Sequence, residues 1–374
     1  MIELIYIFIF LIILVLSKKA SYRSQLNQKN FIEIFLILII LSIFSGIRNV
    51  SMGYDASMYV TSTFYKLNFY NGSLNFLNNT NIEIGFRIFS LLLYKLYPNI
   101  NFLLFGYSLL TNILVLISLQ NLKDKIDLKY SIPIYYLSLY LLSFNIIRQS
   151  ISISFFLCAF SLLLKHNDNK SISNSKKNLV VIILIVLGCT FHNSSLIALF
   201  IFVLYFIIKN KMIDLKLLTI FMIVSTCIIF LLFNNVMNLA YSFKMISEKY
   251  FFYITNAKEE IDFNFADTLL KSFVMFISLK QNLENDSVDR KCSFLFATFA
   301  LLTNFLAFKA YPIYRCGLYF FYISIFLTLG RSWKVSYQGK NISLALNYFI
   351  LIIYFIWKIY LGNAYLIYPY KLGI

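Results

Sequence analysis

The strongest constraint on this chain is a rhythm in its hydropathy. Twelve apolar blocks, near 1–16, 31–47, 100–120, 131–147, 149–164, 178–191, 193–208, 217–233, 267–279, 292–308, 313–330 and 341–357, alternate with polar links. Blocks so long and so often repeated cannot be folded into one water-soluble core, because 60% of the 374 residues are hydrophobic and only 13% are charged. They need lipid as their solvent, where a helix satisfies its own backbone. The sequence therefore predicts an all-α integral membrane protein, a polytopic bundle of about 12 transmembrane helices forming a single domain over 1–374. Several blocks fall short of the ~20 residues that cross a bilayer, and are expected to borrow flanking Tyr, Asn and Ser or to cross inside protein. The first block, IELIYIFIFLIILVLS, lacks a basic leader and a small-residue cleavage site, and reads as a retained span.

Orientation follows from the bases. The net charge of +17 would suggest nucleic acid in a soluble protein, but here the bases alternate with apolar blocks, and nucleic acid is discarded as a partner. The links 17–30, 121–130, 165–177, 209–216, 280–291 and 331–340 carry four, three, four, three, three and three Lys plus Arg. With twelve spans they fall on one side, which the positive-inside rule makes cytoplasmic. The loops 48–99 and 234–266 are then extracytoplasmic. The first closes with IEIGFRIFSLLLYKLYP, an apolar run suited to a helix in the outer interface. The second mixes Tyr241, Tyr250, Phe251, Phe252 and Tyr253 with Glu248, Glu259, Glu260 and Asp262, a composition that fits either sugars or an interfacial aromatic belt. Cys158, Cys189, Cys227, Cys292 and Cys316 lie in or beside apolar blocks without paired spacing and read as small core residues, so no metal or disulfide is expected.

The residues that carry chemistry are bases on the wrong side. Arg48, Arg87, Arg148 and Arg315 all fall at outer helix ends, where positive charge is normally sparse. Guanidinium forks onto phosphate oxygens, so arginines at headgroup depth suit a lipid-linked diphosphate; each singly could equally snorkel to lipid. Asp55, Glu83 and His192 are the candidates, in that order, to accept a proton from an attacking sugar hydroxyl. The plainer alternatives are an ion pair with the neighbouring arginine for each acid and a helix-end hydrogen bond for His192. Tyr54 and Tyr59 stand beside Asp55 and would line a sugar path. The chain has no Gly-rich phosphate loop, HExxH, CxxC pair or outer DxD pair, which fits a metal-free, cofactor-free reaction on a lipid-linked donor.

Five motifs run in order along the chain: Arg48 with Gly53-Tyr54-Asp55 and Tyr59; Glu83-x-Gly85-Phe86; IIRQSISISFFL from Ile146; FHNSS from Phe191; and YRCGLYF from Tyr314. Together they resemble the EpsG-type branch of the Wzy polysaccharide polymerases. The departures are Ile84, where the family often has Pro, and Asn193, where a basic residue often follows the His. The resemblance implies a multi-pass enzyme of the bacterial cytoplasmic membrane, working on its extracytoplasmic face. It would join repeat units carried on undecaprenyl diphosphate, with a lipid-linked donor, a lipid-linked acceptor and a separate chain-length regulator as partners. Rival readings are an O-antigen ligase, another lipid-carrier glycosyltransferase, and a flippase for lipid-linked sugars. A flippase would place its charges at the bilayer midplane; here they gather at one rim and only Lys271 lies plainly inside a block.

Overall fold

In the computed structural model the described residues of the twelve apolar blocks are mainly helical. The structure describes residues 4–78, 82–165, 174–243, 251, 265–284, 286–310, 312–331, 336–337, 340–341, 343–357 and 368–373. The helices are α1 (Ile5–Gln25), α2 (Phe31–Gly46), α3 (Thr61–Phe69), α4 (Ile84–Leu96), α5 (Ile100–Asn121), α6 (Leu128–Tyr135), α7 (Ile147–Leu164), α8 (Asn174–Phe191), α9 (Leu199–Lys209), α10 (Leu215–Leu231), α11 (Phe233–Ser242), α12 (Phe265–Glu284), α13 (Val288–Leu306), α14 (Pro312–Leu329) and α15 (Ser343–Phe355). A two-stranded antiparallel ladder, β1 (Ser336–Tyr337) with β2 (Lys340–Asn341), completes the described elements.

Among the described residues three helices, α1, α5 and α7, are long and apolar enough to cross a membrane unaided, and α10 with the start of α11 makes a fourth if their 86° bend is counted as one broken span. Twelve crossings are therefore not established by length and apolarity alone. Of the three, α7 is the most enclosed, with 89% of its apolar window buried against protein. A helix so enclosed can carry Ser150, Ser152, Ser154 and Ser161 without meeting lipid, and its hydropathy drops accordingly.

The chain divides into two compact units, 1–196 with 329–374, and 197–328. In the first, α2 packs on α5, α1 on α6, and α7 lies between α5 and α8. Asn112 of α5 is the polar joint: its amide donates to Ser42 Oγ of α2 at 3.0 Å and its carbonyl accepts from Tyr135 of α6 at 2.5 Å. The C-terminal segment is tied to the same core. Tyr370 stacks on Phe44 at 4.5 Å and donates to the Phe44 carbonyl, while Asn49 N–H bonds the Lys371 carbonyl at 2.7 Å.

The second unit has its own polar joint. Lys271 of α12, fully buried, donates to Asn304 Oδ1 of α13 at 2.9 Å and sits over the Tyr314 ring of α14. The Tyr314 hydroxyl donates in turn to Asp267 at 2.9 Å. Of the aromatic and acidic loop 234–266, Tyr241 stacks on Phe251 at 4.5 Å. Tyr250, Phe252, Tyr253, Glu248, Glu259, Glu260 and Asp262 lie outside the described residues.

Candidate active site

Two helical pieces of the loop 48–99 converge on the start of α7. The first is a π turn, Ala56–Val60, running into α3; such turns widen a helix by one residue and recur at functional sites. It is set by the tight corner before it. Gly53 has φ +91° and lies so close to the Phe144 carbonyl that a Cβ would collide with it. Only glycine combines that backbone with that approach. Tyr54 N–H then donates to Asn145 Oδ1 at 2.8 Å and Asp55 N–H to the Asn145 carbonyl at 3.3 Å. Asn145 was not singled out from the sequence, although an Asn just ahead of an apolar helix is a signal worth reading.

The second piece is α4, whose N-cap is Glu83. Its carboxylate makes no capping bond of its own. It reaches across instead, with Oε2 2.6 Å from Arg148 Nη1 at the start of α7 and Oε1 3.1 Å from His192 Nδ1 just beyond α8. The Asn193 N–H approaches Oε1 at 3.4 Å. Gly85 permits this meeting: it packs against Thr190 of α8 with no room for a Cβ. Phe86 stacks on Tyr107 at 4.7 Å, and Phe191 packs between Phe89 and Phe155, so that α4, α5, α7 and α8 share one apolar cluster beneath the polar groups.

Electrostatics fix the state of Glu83. Burial by itself would raise its pKa, but the His192 hydrogen bond and the Arg148 charge outweigh that and hold it down at about 2. Glu83 is therefore ionised at any physiological pH. A carboxylate only accepts hydrogen bonds, so the contact needs a proton on His192 Nδ1, and in a neutral ring the Nε2 lone pair is then the acceptor. Arg148, 8% exposed, lays its guanidinium 3.8 Å from the Tyr59 ring centroid, and its Nε meets no acceptor among the described residues. Asp55, 3% exposed, lies close enough to act electrostatically on Arg148.

The remaining residues divide by location. Tyr54 is exposed beside Asp55, and Tyr59 is half-buried beneath Arg148. Arg87, on α4, does not pair with Glu83 four residues before it; its Nη1 bonds the Leu77 carbonyl and ties down the 3-10 turn Leu74–Asn78. Arg48 is 1% exposed and lies flat on Phe144 at 3.9 Å, covered by the Leu372 backbone bridge. Arg315, half-buried on the first turn of α14, belongs to the second unit. Among the described residues no three His, Cys, Asp or Glu converge as metal ligands would.

The fold and this site define a helical, membrane-embedded protein with an Arg–Glu–His chain held above the apolar cluster of α4, α5, α7 and α8. The EpsG family model matches residues 31–372, nearly the whole chain, and the protein belongs to that family. Its role is accordingly that of an enzyme of polysaccharide polymerisation. Neither the curated proteins nor the solved structures contain a match to this chain.

Proposed function

We propose that the protein polymerises oligosaccharide repeats carried on undecaprenyl diphosphate, at the extracytoplasmic face of a bacterial cytoplasmic membrane. The observation that carries this reading is Glu83 bridging Arg148 and His192. It places a fixed guanidinium, suited to a diphosphate leaving group, next to an imidazole whose open nitrogen suits a sugar hydroxyl. In the reaction the acceptor hydroxyl oxygen bonds to the donor's anomeric carbon while the bond from that carbon to the diphosphate oxygen breaks. The hydroxyl proton passes to His192 Nε2, and undecaprenyl diphosphate leaves with both electrons of the broken bond.

Charge stabilisation matters more here than acid assistance, because the leaving group departs as an anion. Arg148 supplies it in this reading, with Arg87 as a further contact to the lipid-linked donor. Glu83 is a positioning residue, its basicity being too low for proton transfer. Asp55 orients the acceptor, and Tyr54 and Tyr59 line the sugar path. The side of the membrane rests on the one-sided bases of six links.

The test is the lipid-linked glycan pool of cells carrying Arg148→Lys or Arg148→Ala at matched expression. A polymerase defect leaves single repeats on the lipid outside. A ligase defect leaves long unattached polymer, a flippase defect leaves single repeats inside, and either result would overturn the proposal.

A further inference from the structure

Three helices of the second unit, α9, α10 and α12, pack on α13. At the ends that meet the basic links 209–216 and 280–291 they leave a half-open cavity of about 910 Å³. Ligand pockets are typically of that size, ~300–1,000 Å³. The most buried part of the lining is apolar, from Ile208 of α9, Leu218 of α10 and Phe294 of α13. The more open part is apolar too, with Ile213 and Ile220 around the start of α10 and Leu279 and Leu283 on α12, all four exposed. Beside a bilayer, such walls are favourably covered by an acyl chain.

The polar lining is basic. Lys211, Lys216 and Lys291 border the cavity together with Asp214 and Asp286. Asp286 is matched by Lys291 at 2.7 Å, and Asp214 accepts the Lys216 N–H at 2.6 Å as the N-cap of α10. Lys211 and Lys216 are exposed, and neither ammonium forms an ion pair among the described residues. Three ammoniums against two carboxylates leave one positive charge, which suits a headgroup of one negative charge better than a zwitterion. Lys211 also stands at φ +51°, a backbone that favours glycine, yet a cationic side chain is held there.

We propose that this groove binds one anionic phospholipid of the bilayer, with its phosphodiester at Lys211 and Lys216 and an acyl chain along Ile220, Leu279 and Leu283. In the proposed topology the groove meets the cytoplasmic leaflet, where basic pockets between helices collect acidic headgroups. The lipid joins α10 to α12 and so braces the second unit at its basic end. The site shares no residue with the Arg148–Glu83–His192 chain, and it stands whether or not the polymerase reading is right.

The experiment is native mass spectrometry of the purified full chain in a neutral detergent, titrated with phosphatidylglycerol or with phosphatidylcholine of the same chains. The expected result is one saturable phosphatidylglycerol that phosphatidylcholine does not match at equal concentration. Lys211→Gln with Lys216→Gln should weaken it about 30-fold, at roughly fivefold per lysine. Lys18→Gln with Lys29→Gln, which removes two exposed lysines of another basic link, should leave it unchanged. Leu279→Asn with Leu283→Asn, which keeps every charge, should weaken it by about tenfold or more. Equal retention of the two lipids, equal losses in the two lysine pairs, or full binding by the asparagine pair would overturn the site. Displacement of the lipid by glycerol phosphate, which carries the charge without the chains, would overturn it in favour of a free phosphate.

Discussion

Glu83 has both carboxylate oxygens committed, one to a guanidinium and one to an imidazole, and its behaviour follows from that. With its pKa lowered from 4.5 to about 2, the ion-pair contribution to stability is complete above pH 4.5 and is lost as pH falls through 2. The shift corresponds to on the order of 3 kcal/mol. Glu83→Gln should therefore lower stability at neutral pH by an amount of that order, with the gap to wild type closing near pH 2, as denaturation measured across that window would show. The same change removes the group that fixes the imidazole tautomer, and should cut polymer yield by about 100-fold or more. His192→Gln should do likewise, and because the two act as one unit the double variant should be no worse than the poorer single. Losses that simply multiply would mean that the two residues act independently. The residues of this chain could be named from the sequence, but not their partnerships. Local reading set Glu83 beside Arg87, four positions on, whereas its partners lie 65 and 109 residues away. Adjacency along the chain is visible in a sequence, and convergence of distant helix ends is not.

At the level of elements, the site is three helix ends held in register by two glycines. Gly53 makes the corner that starts the π turn, and Gly53→Ala should destabilise the protein by more than about 1 kcal/mol, because the backbone at φ +91° and the Phe144 carbonyl both oppose a side chain. Gly85→Val should push α4 away from Thr190 and carry Glu83 off both partners. A displacement near 1 Å is enough to lower polymer formation by ~100-fold, and the loss should appear with little change in the amount of folded protein. The helices were legible because apolar blocks bounded by charged links leave the backbone few other choices. The helix within 84–96 was legible for its amphipathic pattern. The π turns at Ala56–Val60 and Tyr136–Tyr140 were not, since a π turn is one residue inserted into a helix and leaves the composition unchanged.

On the scale of the whole molecule, the lipid-facing character of the chain is carried by its exposed apolar surface, with Phe8, Val15, Phe35, Val186 and Phe221 among many large side chains left open on their helices. The proposed topology rests on the one-sided bases, and it has a direct check. A single cysteine at Ser73 in a cysteine-free background should react with an impermeant thiol reagent from outside the cell, and one at Lys123 should react only after the membrane is opened; the reverse pattern would invert the protein. How many of the fifteen described helices cross is a separate matter, because short helices sheltered by neighbours need less apolar length than α1 or α5. The most direct measurement of the central claim is made on the purified chain in liposomes, supplied with undecaprenyl-diphosphate repeat unit and no nucleotide sugar. The account predicts a ladder of lipid-linked polymers from the wild type and an unreacted single repeat from folded Glu83→Gln, His192→Gln and Arg148→Ala proteins. A full ladder from those variants would contradict it.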